Sequence, residues 1–416
     1  MRPQDILVID GGPAGACAAT VLARKGYRVA VFERDRFPRF HVGESLIPGA
    51  SDLLAELGVE KEIENAGFIR KYGGRLISPE GRIVKFDLSQ IQQQLRKPYT
   101  FQVLRSEFDR ILLDNCRRAG AQVFEGAEVK DFLTSNGRIA GVTVAHDGRA
   151  PMKVSAPLVI DATGRDTLLA TKLGLKRSVP TLTKASLYAH YEGVARDTGR
   201  DEGNLTIVMF RHGWFWIIPM TAELTSIGVV VESQYLKNRG TSPEAFFEES
   251  IANCPRVADR MKNARRVTPV EAIPTLAYIA DSFVGDGFVI IGDAAGFLDP
   301  IFAAGVYFAL KAGKLAAAQI DAAFQADDLS KKALLPYEQS LRKEIGVVLG
   351  QIQGWYHLME EEGRADRLIP LMTRFTSLRR SFTCLFSGMY DKLEPGGPCA
   401  MVQMLREPLA TSASER

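Results

Sequence analysis

The chain has 416 residues, of which 46% are hydrophobic and 24% are charged, a balance typical of a globular enzyme large enough for two or three domains. Its net charge of +3 is too small to indicate nucleic-acid binding, and we expect neither a signal peptide nor a membrane-spanning segment, because no run of about 18 apolar residues occurs. Five cysteines and five histidines show no metal-ligand spacing, and the unpaired cysteines favour a cytoplasmic location.

The N-terminal segment alternates strand, helix and strand patterns. Asp5–Ile9 is predicted to be a buried strand, Gly11–Gly15 a tight turn, and the alanine-rich stretch from about Ala14 to Lys25 a helix. A second strand, Arg28–Glu33, completes a βαβ unit of about thirty residues. The segment therefore predicts the start of an α/β fold.

This βαβ unit carries the dinucleotide-binding fingerprint GxGxxG with one departure. Gly12 and Gly15 hold the second and third glycine positions, whereas Asp10 stands at the first. In such units the helix N-terminus receives a pyrophosphate, glycines let the backbone approach it, and an acid about twenty residues later binds ribose hydroxyls. The expected dinucleotide contacts of this unit are Gly12, Ala14, Gly15, Glu33 and Arg34.

Two later turns favour FAD over NAD as the dinucleotide. The strand Leu158–Asp161 runs into the turn Ala162–Gly164, and a strand that begins at Phe288 runs into the turn Gly292–Gly296, which is followed by a helix. The carboxylate in the second of these turns is placed to accept from a ribityl hydroxyl. The expected FAD contacts in this part of the chain are Arg105, Asp161, Gly164 and Asp293.

The middle and the end of the chain differ in periodicity. Short strands are predicted from Tyr72 to Tyr99, and apolar residues alternate from Ser186 to Glu232, which predicts a β-sheet region. After residue 326, apolar side chains recur at helical spacing and predict a helix that packs on the body of the protein. The members of this stripe are Leu341, Ile345, Val348, Ile352, Trp355 and Met359.

These patterns predict an α/β protein in three parts. The first is a discontinuous Rossmann-type FAD-binding domain of residues 1–75, 100–185 and 280–325. The second is a mixed β-sheet substrate domain of residues 76–99 and 186–279, and the third is a C-terminal helical region of residues 326–416.

The order of these turns resembles the flavoprotein monooxygenase superfamily, over roughly residues 5–325. The superfamily includes geranylgeranyl reductases and flavin-dependent halogenases. The resemblance implies a fold like those of glutathione reductase and p-hydroxybenzoate hydroxylase. Three shorter stretches indicate the halogenases among its members.

The first stretch, Gly213–Pro219, matches in full the WxWxIP motif of flavin-dependent halogenases. In that family the bulky residues are thought to wall off the flavin and to disfavour direct monooxygenation. The resemblance assigns this wall to Trp214, Trp216 and Pro219. Two indoles and a proline make a rigid apolar surface, although the same stretch also suits a hydrophobic strand of the substrate sheet.

The second stretch supplies the catalytic candidates. Lys71 lies where halogenases carry the lysine that hydrogen-bonds hypohalous acid or forms a chloramine, a role that requires burial or a fixed ammonium. Either Lys71 or the adjacent Arg70 could be the inward-facing residue. The segment Phe37–Pro48 looks like the version found in halogenases of phenolic, pyrrolic and carrier-tethered substrates, and its Glu44 is a candidate acceptor for the proton that the ring loses.

The third stretch, Phe297–Gly305, resembles the family segment FxDPxFSxG, which lies over the flavin and helps to bind halide. The resemblance adds Pro300 and Gly305 to the expected FAD contacts. Ala303 replaces the usual serine, so any role of its hydroxyl is lost. The backbone N–H groups of Ala304 and Gly305, near a helix start, are the expected halide-binding groups.

The resemblance implies that FADH2, O2 and chloride or bromide yield hypohalous acid, which Lys71 directs at an electron-rich aromatic ring. No second dinucleotide fingerprint is found, so FADH2 is expected to come from a separate NAD(P)H-dependent flavin reductase. The expected substrate is a phenol, a pyrrole or a carrier-tethered ring. Its pocket is expected to be lined by Tyr188–Tyr191, by Phe210 and by the C-terminal helices.

Two alternatives are open from the sequence. Ala303, the missing first glycine and the short chain are compatible with a reductase or monooxygenase of the geranylgeranyl-reductase type, whose reaction would not depend on halide. The basic and apolar stretches Leu368–Phe375 and Leu378–Phe382 could dock on a membrane surface or on a partner such as a carrier protein, or they could cap the substrate pocket.

Overall fold

The computed structural model describes residues 4–274, 276–360, 364–374 and 376–388. The part of the expected C-terminal helical region from residue 389 to residue 416 lies outside the described residues.

The strands in chain order are β1 (Ile6–Ile9), β2 (Val29–Glu33), β3 (Ile69–Lys71), β4 (Gly73–Ile77), β5 (Ile83–Asp87), β6 (Thr100–Gln102), β7 (Gln122–Glu125), β8 (Ala127–Ser135), β9 (Arg138–His146), β10 (Met152–Ser155), β11 (Leu158–Asp161), β12 (Lys176–Ser178), β13 (Lys184–Glu192), β14 (Leu205–Phe210), β15 (Gly213–Pro219), β16 (Leu224–Glu232), β17 (Arg265–Arg266), β18 (Glu271–Ile273), β19 (Tyr278–Ala280), β20 (Val284–Gly285), β21 (Phe288–Ile290) and β22 (Gly296–Phe297). The α-helices are α1 (Pro13–Arg24), α2 (Gly49–Glu56), α3 (Glu60–Asn65), α4 (Arg105–Arg118), α5 (Leu168–Lys172), α6 (Ser233–Arg239), α7 (Pro243–Ala252), α8 (Pro255–Met261), α9 (Gly305–Gln325), α10 (Lys331–Glu360), α11 (Arg364–Arg374) and α12 (Thr376–Leu385).

A six-stranded sheet in the order β20-β21-β11-β1-β2-β7 contains the N-terminal βαβ unit. β1 pairs in parallel with β2 and β11, and β11 pairs in parallel with β21. Every residue of β1, β2 and β11 is buried, as expected for a parallel sheet covered on both faces. The carboxyl ends of β1, β11 and β21 therefore lie side by side, and the turns predicted to bind the dinucleotide meet at one edge of the sheet.

An eight-stranded sheet contains β17, β13, β16, β15, β14, β4 and β5 in that order, with β18 paired to β13. Because side chains alternate along a strand, β15 directs Trp214 and Trp216 to one face and Phe215 to the other. The first face packs against the C-terminal helices, for example through Trp355, and the second packs against α7 through Phe246. Both faces are covered, which explains why β15 is apolar along its whole length.

The C-terminal helices cover the protein's own core. In α10, Leu341, Val348, Ile352 and Trp355 are buried as the helical stripe predicts, whereas the side chain of Met359 lies outside the described residues. Ile369 of α11 and Phe382 of α12 are buried in the same cluster as Trp214, so these side chains pack against the eight-stranded sheet. None of the helices in the described part of the chain combines the length and the hydropathy needed to cross a membrane.

Some elements of the fold were not predicted from the sequence. The helices α6, α7 and α8 were not predicted, because their buried positions, such as Phe246 and Val257, are too few to make a long periodic stripe. A small three-stranded sheet is formed by β10, β9 and β8 in that order. The structure also places β4, from Gly73 to Ile77, in the eight-stranded sheet across the expected boundary at residue 75. We therefore propose the three-part division with this boundary moved to Tyr72.

The two glycines Gly228 and Gly346 provide a stability test of this packing. A methyl group added at Gly228 of β16 would lie 2.1 Å from the Trp216 ring, whereas one added at Gly346 of α10 would meet nothing within 4 Å. We expect Gly228→Ala to lower the free energy of unfolding by about 1–3 kcal/mol through overpacking. We expect Gly346→Ala to raise it by about 0.5–1 kcal/mol, because alanine favours helices. Urea unfolding followed by circular dichroism measures both, and equal stability of the two variants would contradict the described position of the Trp216 ring.

Candidate active site

One cavity connects the edge of the six-stranded sheet to the aromatic face of the eight-stranded sheet. It contains about 1320 Å³ of space free of protein atoms, including its opening to solvent. Its walls are the N-terminal ends of α1 and α9, the loop from Arg39 to Ser45, and side chains of β13, β14 and β15. The cavity therefore joins the expected cofactor-binding and substrate-binding regions.

The N-terminal end of α1 borders the cavity. Gly12 and Ala14, two of the expected dinucleotide contacts, line it. Gly15 does not line the cavity, but a Cβ atom there would lie 2.0 Å from the Asp10 carbonyl oxygen, so a glycine is needed for α1 to pack closely on the end of β1. The free N–H groups at this helix start, together with the helix dipole, suit a pyrophosphate.

Two further residues of the fingerprint lie away from the cavity wall. Glu33 is buried and accepts hydrogen bonds from the N–H groups of Gly11 (2.9 Å) and Asp35 (2.8 Å). Burial, and secondly the nearby Asp10 carboxylate, raise the pKa of Glu33. Its carboxylate has lone pairs left over for ribose hydroxyls. Arg34, by contrast, is exposed and paired with Asp166, so the structure places this residue on the surface and not on the cavity wall.

Asp10 has the backbone conformation that normally requires the first glycine of the fingerprint. Its φ of 80° lies in the left-handed region, which aspartate tolerates better than most residues. Its Oδ1 accepts from the N–H of Gly12 at 2.9 Å and lies 3.6 Å from Nη2 of Arg39, while Nη1 of Arg39 lies 3.3 Å from the buried Asp109. Arg39 lines the cavity and was not predicted, because no local motif links it to a residue 29 positions earlier.

Arg105 lies on the cavity wall at the first residue of α4. It is buried, and its guanidinium donates to both carboxylate oxygens of Asp109, at 2.7 and 3.0 Å, and to the carbonyl of Val42 at 2.7 Å. This pairing offsets the cost of burying the charge and fixes the side chain at the cavity. The position agrees with the expected role of Arg105 in dinucleotide binding.

The turn after β11 borders the cavity through its backbone. Gly164 lines the cavity, but the carboxylate of Asp161 is fully buried inside the turn. It accepts from the N–H groups of Thr163 (3.0 Å) and Leu169 (2.7 Å). Asp161 therefore shapes the turn, and the structure places Gly164 and not Asp161 at the cavity.

Asp293, an expected FAD contact, lies after β21 and lines the cavity. Burial raises the pKa of its carboxyl to about 6. Among the described residues no hydrogen-bond donor reaches this carboxylate, so its acceptor sites are available to a hydroxyl group. The cavity thus offers an acceptor at Asp293, the starts of helices α1 and α9, and the guanidinium of Arg105. Together these groups fit FAD.

The stretch before α9 places two further predicted residues on the cavity. Pro300 and Gly305 line it, and Ala304 is the residue immediately before the first turn of α9. Ala303 also lines the cavity and has a φ of 52°, a left-handed conformation that is uncommon for alanine. The backbone N–H groups at the start of this 21-residue helix remain the candidate halide-binding groups.

Two tryptophans make the aromatic side of the cavity. Trp214 and Trp216 line it with ring centroids 6.1 Å apart. Nε1 of Trp216 donates to Oγ of Ser226 at 3.1 Å, and Nε1 of Trp214 donates to the hydroxyl of Tyr356 in α10 at 3.1 Å. Both indole N–H groups are thus satisfied, so each ring is held in place. Pro219, at the end of β15, is buried but does not line the cavity.

The expectation for the substrate pocket is correct in part. Tyr188 of β13 lines the cavity and stacks near Trp216, but Tyr191 and Phe210 belong to the cluster on the opposite face of the sheet. Their placement in the pocket was wrong because strand alternation sends them away from it. The C-terminal helices lie behind Trp214, which they reach through Tyr356, and do not line the cavity.

Lys71 is buried next to the cavity. Only 3% of the residue is exposed, and Nζ donates to Oγ of the cavity-lining Ser45 at 2.8 Å. Burial lowers the pKa of Lys71 to about 7. The neighbouring Arg70 is exposed and paired with Glu64 at 3.2 Å. The structure thus identifies Lys71 as the inward residue of the pair.

Glu44 lines the cavity one residue before Ser45. It is 2% exposed, and its Oε1 lies 2.6 Å from Nε2 of His190, which is 5% exposed. His190 lies within the range Tyr188–Tyr191 expected at the pocket, but its contact with Glu44 was not predicted. Side chains alternate between the two faces along a strand, so His190, two residues after Tyr188, is on the same face of the sheet as Tyr188.

No group of three or more histidine, cysteine, aspartate or glutamate side chains suited to a metal ion occurs among residues 4–388, outside the gaps given above.

The fold and the cavity define an FAD-dependent oxidoreductase. A comparison with known families matches residues 5–78 and 76–365 to the family described as tryptophan halogenase. The chain belongs to this family of flavin-dependent halogenases.

Individual relatives agree with this assignment. The chain is 32% identical to the 1H-pyrrole-2-carbonyl-(peptidyl-carrier protein) chlorinase of Pseudomonas fluorescens, over 99% of this chain and 94% of the relative. It is 34% identical to the 1H-pyrrole-2-carbonyl-(peptidyl-carrier protein) brominase of Pseudoalteromonas luteoviolacea, over 79% of each chain. The solved structure of the flavin-dependent brominase Bmp2 matches with a TM-score of 0.84 at 26% identity, covering 97% of this chain and 98% of that one.

The predicted fold class, family, cofactor and reaction are thereby confirmed. The protein is an FADH2-dependent halogenase. Of its relatives, the Pseudomonas protein is named a chlorinase and the Pseudoalteromonas protein a brominase. The family and these three relatives are named as halogenases.

The charge of Asp10 beside the pyrophosphate site predicts an effect on cofactor affinity. We expect Asp10→Gly to bind FAD roughly fivefold more tightly, because one unit charge at about 4 Å in water contributes about 1 kcal/mol. Fluorescence titration with FAD measures the change. Asp147→Gly is the matched control, because Asp147 has the same kind of positive φ, 50°, but lies on a surface turn outside the cavity. Unchanged or weaker binding by Asp10→Gly would show that its carboxylate does not oppose the cofactor.

Proposed function

We propose that this halogenase acts on an electron-rich ring, and specifically on a pyrrole-2-carbonyl group held as a thioester on a carrier protein. The observation that carries the proposal is the buried Lys71 ammonium, which reaches the cavity through Ser45. The choice of a carrier-bound pyrrole rests on the two relatives described above, both of which are named for that substrate.

In this proposal FAD binds along the edge of the six-stranded sheet. Gly12, Ala14 and Arg105 hold its pyrophosphate, Glu33 accepts from its ribose, and Asp293 accepts from the ribityl chain. The N–H groups of Ala304 and Gly305 bind the halide at the start of α9. When bound, reduced FAD supplies hypohalous acid from O2 and the halide.

The protein's contribution to the next step is to protect and direct the hypohalous acid. Trp214, Trp216 and Tyr188 form an apolar surface that limits the water in the cavity. Nζ of Lys71 donates a hydrogen bond to the oxygen of hypohalous acid, which promotes departure of this oxygen as water while the halogen bonds to a ring carbon. Glu44 accepts the proton that this carbon loses, and the ring regains its aromaticity.

Reduced FAD must reach this cavity from another protein. We propose a separate NAD(P)H-dependent flavin reductase as the donor, and the cytoplasm as the location. The four described cysteines are buried free thiols, which suits a reducing compartment.

The substrate assignment is tested with the purified enzyme, FAD, NADH, a flavin reductase and either chloride or bromide. The panel contains pyrrole-2-carbonyl pantetheine, free pyrrole-2-carboxylate, simple phenols and free tryptophan, and products are identified by mass spectrometry. We expect halogenation of the pyrrole thioester to exceed that of the free acid. Preferential halogenation of free tryptophan, or product formation without halide, would contradict the proposal.

Removal of the lysine amine should separate halogenation from cofactor binding. We expect Lys71→Ala to lower product formation on the order of 10²–10⁴-fold, because a positioned acid contributes about this much, while FAD affinity stays the same. The control is Arg70→Ala, which removes the adjacent exposed cation. Product formation by Lys71→Ala at the wild-type rate would show that another group directs the halogen.

The lowered pKa of Lys71 predicts a pH dependence. The ammonium that donates the hydrogen bond loses its proton as the pH rises through about 7, so the active fraction falls on the alkaline side. We expect the halogenated product formed per NADH consumed to decrease roughly tenfold between pH 6 and pH 8. An increase over this range would instead indicate that the neutral amine reacts, as a chloramine mechanism requires.

A further inference from the structure

The Glu44–His190 pair brings two buried ionisable side chains into direct contact at the cavity. An oxygen–nitrogen distance of 2.6 Å requires one proton between Oε1 of Glu44 and Nε2 of His190. Glu44 lines the cavity, whereas His190 lies behind it. The second carboxylate oxygen, Oε2, carries no hydrogen bond from the described residues and remains available on the cavity side.

The backbone holds both side chains in position. The N–H of His190 donates to Oγ1 of Thr268 at 2.9 Å, and the ring of Phe40 packs edge-on against the imidazole with centroids 5.5 Å apart. The carbonyl of Glu44 accepts from the N–H of Val103 at 2.7 Å. The pair is therefore fixed by β13 on one side and by the strand region around β6 on the other.

Other cations near Glu44 are already engaged. The guanidinium of Arg105 donates to Asp109 and to the carbonyls of Val42 and Gly43. His190 is thus the side chain in the described part of the chain that donates to the Glu44 carboxylate. Burying this pair is costly, and two apolar residues of similar size would stabilise the sheet better, so its place at the cavity indicates a functional role.

We propose that His190 is a positioning residue that orients the Glu44 carboxylate and directs its Oε2 at the ring that is halogenated. This inference rests on the proposed function. Without the N–H of His190, Oε1 of Glu44 would have no hydrogen-bond donor among the described residues, and the carboxylate would not be held toward the ring.

The halogen bonds to a ring carbon with a pair of ring electrons, and the departing oxygen leaves as water with a proton from Lys71. The C–H bond at the same carbon then breaks, its electrons return to the ring, and the proton binds Oε2 of Glu44. The proton gained by Glu44 and the proton lost by Lys71 cancel, so the next turnover needs only their exchange through solvent.

The test compares turnover of pyrrole-2-carbonyl pantetheine with turnover of its ring-deuterated form, each measured separately with excess flavin reductase. His190→Leu removes the N–H donor, and His190→Gln keeps one. The matched control is His212→Leu, which removes an exposed imidazole that stacks on Tyr235 and lies outside the cavity. FAD affinity and circular dichroism are measured for every variant.

We expect wild type and His212→Leu to turn over both forms at equal rates, because loss of the ring proton is fast. In His190→Leu we expect turnover to fall on the order of tenfold to hundredfold and the deuterated substrate to react clearly more slowly than the light one, because proton loss has become limiting. His190→Gln should recover most of the rate and lose the isotope effect.

Slow turnover of His190→Leu without an isotope effect, or an isotope effect that His190→Gln does not remove, would overturn the inference. If His190→Leu does not fold, the test uses His190→Gln alone. A large loss of rate in His190→Gln with normal FAD binding would also overturn the inference. Failure of the proposed substrate is distinguishable, because it would appear as absent halogenation of the pyrrole thioester by the wild-type enzyme.

Discussion

Burial of charged side chains around one cavity is the constraint on which the site depends. A buried ion costs several kcal/mol unless it is paired or hydrogen-bonded, so each charge here needs a partner at a set position. Lys71 has Ser45, Glu44 has His190, and Arg105 has Asp109 and a backbone carbonyl. The loop from Val42 to Ser45 supplies groups to all three interactions.

Strand β6 sets the spacing among these groups. It pairs with β3, which ends at Lys71, and it also hydrogen-bonds the loop, since the N–H of Leu46 donates to the carbonyl of Phe101 at 3.0 Å. Lys71, the proposed proton donor, and Glu44, the proposed proton acceptor, are therefore both held by backbone hydrogen bonds around β6. Because main-chain ladders deform little, the two groups keep their separation while substrate and cofactor exchange.

Local patterns made much of the fold and part of the site predictable. The βαβ unit, the turns at Gly164 and Asp293 and the WxWxIP strand are each contained within about thirty residues or fewer, so their spacing is visible in the chain. The fold class followed from their order. The family resemblance, and not periodicity, pointed to Lys71.

What the sequence could not reveal depends on contacts between distant segments. His190 meets Glu44 across 146 positions, and Arg39 reaches Asp109 across 70, and neither pair belongs to a local motif. For Phe210 the prediction itself was wrong. This residue was expected to line the substrate pocket, but it packs on the face of the sheet away from the cavity. Arg34 and Asp161 match the sequence pattern of a dinucleotide site. In the fold, however, Arg34 pairs with Asp166, and Asp161 accepts a hydrogen bond from the N–H of Thr163.

The hydroxyl of Tyr356 has a consequence for how this enzyme is made. It accepts from Trp214 and donates to Asp299 at 2.7 Å, so it joins the aromatic strand, the stretch before α9 and helix α10 at one point. A ribosome synthesises Trp214 142 residues before Tyr356. During translation Trp214 therefore gains this hydrogen bond only after α10 has been synthesised.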